Sequence, residues 1–117
     1  MKKLLSIIAV LGSFAFANAQ EVPSFPGGEE ALNKYISSTA QYPQIAKDNG
    51  VEGIVVVGFM VDIDGSLNDL KIVKFVDPDL EKEALRVVEG MPAWIPAQKD
   101  GTPIIAPSKV EIPFLLE

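Results

Sequence analysis

The sequence predicts an α+β domain of order α-β-β-α-β, with a three-stranded antiparallel sheet packed by helices on one face. Two runs rich in β-branched residues, Val51 to Asp62 and Leu67 to Val76, flank the turn pair Asp64-Gly65 and read as a β-hairpin. An apolar stripe at helical spacing follows, and the chain closes on a segment that alternates apolar and polar residues.

Ahead of that domain lies a segment with the form of an export signal. Lys2 and Lys3 precede an uncharged apolar run from Leu4 to Phe16, and Ala17-Asn18-Ala19 supplies the small-x-small pattern of a signal-peptidase site. The run has about 13 residues, against the roughly 20 that a spanning helix needs. Residues 1–19 are therefore predicted to be a cleavable signal peptide, with no insertion of the mature chain into a membrane. Residues 20–28, which contain Glu21 to Gly28 (EVPSFPGG), form a Pro/Gly-rich N-terminal arm, and residues 29–117 form the domain. The expected location is the periplasm.

Each element has a local cause. Glu29 to Ser37 places Ala31, Leu32, Tyr35 and Ile36 along one side of a short helix. Tyr42-Pro43 opens another helical turn, in which Ile45 and Ala46 are expected to face inward before Asn49-Gly50 stops it. Asp77-Pro78 starts the main helix: Asp77 can cap the free N–H groups, and Pro78 fits the first turn. Leu80, Ala84, Val87, Val88 and Met91 recur at helical spacing until Gly90 and Pro92 end the run. Trp94-Ile95-Pro96 reads as an extended connector, with Trp94 as a packing residue, and Asp100-Gly101 as a turn. The last strand is expected from about Ser108 to Leu116, where Val110, Ile112, Phe114 and Leu116 alternate with Lys109, Glu111, Pro113 and Leu115.

Composition removes several classes of function. The chain has no cysteine and no histidine, which excludes disulfides, thiol redox chemistry and thiolate metal sites, and removes the usual general base at neutral pH. Without Lys2 and Lys3, the 10 basic residues become 8 against 16 acidic ones, a mature charge of about −8. So acidic a domain is a poor ligand for nucleic acid, and a protein partner is expected instead. The carboxylate pairs Asp62/Asp64 and Asp77/Asp79 have turn and helix-cap explanations, and the Asp62-Ile63-Asp64-Gly65 run lacks the further ligands of a calcium loop. No catalytic residue, cofactor or metal site is expected.

An ordered series of short motifs resembles one family. It comprises Phe25-Pro26-Gly27-Gly28, Tyr42-Pro43, Glu52-Gly53, Phe59, Asp64-Gly65, Met91-Pro92, Trp94-Ile95-Pro96, Gly101-Thr102-Pro103 and Ile112-Pro113-Phe114. Together, from about Val22 to Leu116, these resemble the C-terminal domain of TonB energy transducers in its Bacteroidetes-type form. The resemblance implies a periplasmic protein-binding module tied to energy transduction and nutrient transport across the outer membrane. Its implied partner is a TonB-dependent outer-membrane receptor, whose TonB-box segment adds as a strand beside the last β-strand. By the same resemblance the partner-binding residues are Gln41, Tyr42, Pro43, Lys109, Val110, Glu111, Ile112, Pro113, Phe114 and Leu115. A transducer also has a membrane helix and a long proline-rich linker. With a cleavable signal followed at once by the domain, this chain is expected to bind without energising transport by itself.

Alternatives stay open at this level. The same edge strand could pair with a second copy of the chain in a homodimeric assembly module. Pro113 either protects the edge from pairing or, if its nitrogen faces outward, directs a partner to one register. The sheet face bearing Ile54, Val56, Met60, Val73 and Phe75 is also apolar. It is either covered by the N-terminal arm and the Tyr35 helix or free as a docking surface.

Overall fold

The computed structural model describes residues 21–117, so the predicted signal segment lies outside the described residues. Helix α1 (Gly28–Thr39) follows the Phe25-Pro26-Gly27-Gly28 bend, and Glu29 and Glu30 lie in its first turn, where negative charge suits the helix dipole. The chain then extends through Ala40 to Pro43 and makes a single turn, α2 (Gln44–Asp48). Strand β1 (Gly53–Val61) and strand β2 (Leu67–Lys74) form the predicted hairpin. Helix α3 (Pro78–Glu89) is capped as its sequence requires: the Asp77 carboxylate accepts from the backbone N–H groups of Asp79 (3.0 Å) and Leu80 (3.1 Å). Short strands β3 (Ala97–Lys99) and β4 (Thr102–Ile104) precede the long terminal strand β5 (Ala106–Phe114).

The main sheet has the order β2-β1-β5 and is antiparallel throughout, which realises the predicted fold class. Its inner face carries Val55, Val57, Phe59 and Val61 from β1 and Val110, Ile112 and Phe114 from β5. These pack with Leu80, Ala84, Val87 and Val88 of α3 and with Ile36 of α1. Burying each Val, Leu, Ile or Phe side chain among them contributes about 1.5–3 kcal/mol relative to leaving it exposed. Trp94 belongs to the same core, edge-on to Phe59 at 5.1 Å and to Phe25 at 6.0 Å. Its backbone N–H donates to Gly65 O at 2.9 Å, tying the β1–β2 turn to the chain after α3. Gly65 is required there, because its φ is +88° and a β-carbon would lie 2.2 Å from the Trp94 carbonyl oxygen.

Three expectations are corrected, and one open alternative is narrowed. Asp100-Gly101 joins two short strands, β3 and β4, which the sequence reading had as turn and connector alone. Strand β5 begins at Ala106 rather than near Ser108 and ends at Phe114, because the Leu116 N–H leaves the ladder to meet Glu52 Oε1 at 2.8 Å. Ile45 is 64% exposed, since α2 is one turn long and buries only Ala46. The second sheet face is only partly covered: Val56 is buried and Ile54 borders a hollow with Leu32 and Ile36 of α1. In the arm, Glu21 and Ser24 bond to Gln98 and Ile95, and Phe25 enters the core beside Tyr35. The outer face keeps Ile54, Val73 and Phe75 exposed, Phe75 at 78%.

Candidate binding edge

Strand β5 forms one margin of the sheet, and its direction of bonding follows from parity along β1. The Asp62 N–H donates to Ser66 O, toward β2. Backbone groups alternate sides along a strand, so Gly58 and Met60 also bond toward β2, while Gly53, Val55, Val57 and Phe59 bond toward β5. The β1–β5 register is unbroken from Gly53↔Phe114 to Val61↔Ala106. The partners of those odd-numbered β1 residues are Ser108, Val110, Ile112 and Phe114. Pro107, Lys109, Glu111 and Pro113 therefore turn their backbone groups to the free margin. Both prolines fall where a missing N–H costs the ladder nothing.

A groove runs between this margin and α1. Two adjoining hollows of about 440 and 410 Å³ share Asn33, Ile36, Glu111 and Pro113. Ile36 is buried at the groove's base, Leu32, Asn33 and Ser37 rise along α1, and Lys109, Glu111, Pro113 and Leu115 stand on the strand side. Among the described residues, β1 is the only strand paired with β5. The edge thus offers unpaired backbone groups beside an apolar trough, an arrangement suited to an extended chain.

Tyr42 closes one end of the groove. Its hydroxyl donates to Val51 O and lies 3.4 Å from Phe114 O, and its ring meets the Phe114 ring edge-on at 5.7 Å. Burial, with the Glu52 charge as a lesser cause, holds the hydroxyl pKa above its ordinary value, so it stays a donor. The Tyr42 contact and the Leu116–Glu52 bond together seal the last rung of the β1–β5 ladder.

The residues singled out from sequence divide into three groups. Lys109, Glu111, Pro113, Leu115 and Tyr42 line the groove. Val110, Ile112 and Phe114 lie in the same strand with side chains in the core; Val110 and Phe114 also border the hollows, but at 4% and 2% exposure they offer a partner little side-chain surface, and Ile112 offers none. Gln41 and Pro43 face a different hollow beside α3, formed with Asp79, Lys82, Glu83 and Arg86. There the Gln41 N–H donates to Glu83 Oε2 (2.8 Å), Arg86 Nη2 meets the same oxygen (2.7 Å), and Arg86 also donates to Thr39 O (3.0 Å). The Arg86 hydrogen bond leads in holding the Glu83 pKa below its ordinary value.

Sequence reasoning missed Asn33 and Ser37. They are one helical turn apart and flank the Leu32/Ile36 stripe, and that i,i+4 polar pair was the available signal. Among the described residues, no group of acidic side chains gathers that could hold a metal ion. No helix among them is long and apolar enough to cross a membrane.

Residues 38–116 match the family model described as the Gram-negative bacterial TonB protein C-terminal. The chain is 43% identical over 49 residues to Protein TonB from two strains of Helicobacter pylori. That match covers 42% of this chain and 18% and 17% of the two relatives, so the chain spans under a fifth of their length in the matched region. Two NMR solution structures of the H. pylori TonB C-terminal domain superpose with TM-scores of 0.56 and 0.54, each at 28% identity. They cover 74% and 73% of this chain, and 78% and 89% of the solved chains.

Proposed function

We propose that this chain, which belongs to the TonB C-terminal family, is a periplasmic binding module that captures extended TonB-box-type segments of outer-membrane TonB-dependent receptors. The segment adds as a fourth strand along the free margin of β5, with its inward side chains in the trough beside α1. The observation that carries this reading is the regular, nine-residue edge strand facing an open apolar groove. Backbone bonds supply affinity and the groove supplies selectivity. Each bond contributes about 0.5–1.5 kcal/mol net, offset by the cost of ordering the peptide, so micromolar affinity is expected. Tyr42 acts by holding the end of β5 in place, and Gln41 and Pro43 hold the α1–α2 connection on α3.

The test is an NMR titration of residues 20–117 with N-terminal peptides of TonB-dependent receptors from the same bacterium. Capture requires amide shifts concentrated on Lys109 to Leu115 and on Asn33 to Ser37. Shifts confined to the outer sheet face, or none with any peptide, would contradict it.

One observation favours a second reading, pairing of two copies through β5. An antiparallel β5–β5 ladder centred on Val110 sets Lys109 opposite the second copy's Glu111, and Glu111 opposite its Lys109. In that register the two prolines also face one another. Concentration-dependent mass in solution separates this homodimer from peptide capture.

A further inference from the structure

We infer that Pro107 and Pro113 limit the free margin of β5 to two backbone donors, Lys109 and Glu111, and that the opposite charges of these two residues set the register of a captured strand. The inference rests on the strand-capture reading and adds what selects the segment. Of the four residues whose backbone groups face outward between Pro107 and Pro113, the two outer ones have no N–H to give, although each still offers a carbonyl. A strand placed over Lys109 to Glu111 finds every donor it needs. A longer segment keeps both bonds when it slides by two residues, so side-chain charge places it. A three-residue segment slid by two in either direction exchanges one of those N–H groups for a proline nitrogen and leaves one of its own carbonyls without a partner. Such an unmet group weakens the slipped complex several-fold or more.

Side chains sharpen the same register. Lys109 and Glu111 are exposed on the outer face, two residues apart, with Val110 between them directed into the core. A strand in register therefore places one residue beside Lys109, one beside Glu111, and the residue between them toward Ile36 and the α1 trough. The segment that fits carries an acidic side chain next to Lys109, a basic one next to Glu111 and an apolar one between. Its charge order along the chain reports its direction: base-apolar-acid when antiparallel to β5, acid-apolar-base when parallel.

Two capped seven-residue peptides, TVRVDVT and TVDVRVT, test this against the wild-type chain and a Pro107→Thr/Pro113→Thr variant, with amide hydrogen exchange as the readout. In the free wild-type protein, Val110 and Ile112 amides should exchange slowly and Lys109 and Glu111 amides quickly. Binding should slow Lys109 and Glu111, and one charge order should bind several-fold better than the other. In the variant, positions 107 and 113 should become protected as well, and affinity should rise roughly tenfold. Slow exchange at Lys109 and Glu111 before any peptide is added overturns the proposal without needing the variant. Binding at this edge that is indifferent to both prolines and to charge order also overturns it and leaves strand capture standing. If neither peptide nor any receptor segment binds the edge of either protein, capture and register fall together.

Discussion

The two margins of the sheet differ in kind. Strand β2 shifts register against β1 twice, between Val56 and Val57 and between Gly58 and Met60. Asp69 sits within the second irregularity at a φ of +54°. Bulges twist a strand and interrupt the row of groups that a new strand would need. Strand β5 pairs with β1 through nine consecutive positions without a shift. Its outward row is continuous in carbonyls and is cut short in donors only by the two prolines. One margin is closed to pairing by distortion, while the other stays regular and is rationed by composition. On the proposed capture of an extended segment, the regular edge is the one such a segment would use.

The largest expected effect follows from the alternation of inward and outward backbone groups along β5. Val110→Pro removes an N–H that serves the β1 ladder and should cost about 3 kcal/mol or more. Lys109→Pro, one position away, should cost about 1 kcal/mol or less, because its N–H faces outward. Urea denaturation of both variants checks this, and equal costs would mean that the assignment of inward and outward groups is wrong.

Next in size is the packing beneath each margin. Ile112 on β5 is 0% exposed, and Ile72 on β2 is only half-buried. Ile112→Ala should cost about 2–5 kcal/mol and Ile72→Ala roughly half as much, read from the same denaturation midpoints. A smaller effect sharpens the β2 side. Asp69→Val forces a β-branched residue to positive φ and should destabilise by about 1–2 kcal/mol, whereas Asp69→Gly should stay within about 1 kcal/mol of wild type.

The smallest effect concerns the clamp that keeps Gln41 away from the β5 groove. The Glu83 pKa lies below its ordinary 4.5, first because of the Arg86 hydrogen bond. A depressed carboxylate stabilises the fold above the unfolded-state pKa, and that contribution disappears as pH falls through the folded-state value. Glu83→Gln should thus be slightly less stable than wild type at neutral pH. The gap should close as acid protonates Glu83, which paired unfolding curves across the acid range would reveal.

Much of this arrangement was legible in the sequence because it rests on short-range chemistry. Asp77-Pro78 specified a helix start, Asp64-Gly65 a hairpin turn, and the Val110/Ile112/Phe114 alternation the buried side of the last strand. What escaped depends on long-range packing. The Glu21 and Ser24 pairing to Gln98 and Ile95 has no local periodicity to announce it, and neither does the three-residue β3–β4 pair. Ile45 failed as a core residue because apolarity on a one-turn helix carries no facing information. The site was half readable. An edge strand with a proline can be seen in sequence, but which side that proline's nitrogen takes needs the register of β1 and β5. That Asn33 and Ser37 border the groove needs the position of α1.

Because the chain contains no cysteine, single cysteines placed on each margin give the most direct test of where a partner binds. Glu111→Cys on β5 and Lys71→Cys on β2 would each be mixed, under mild oxidation, with a receptor N-terminal peptide carrying one cysteine in its TonB-box segment. A rapid disulfide at position 111 and little at position 71 is the expected result. Equal cross-linking at both, or cross-linking at position 71 alone, would contradict the claim that β5 is the receptor-binding edge.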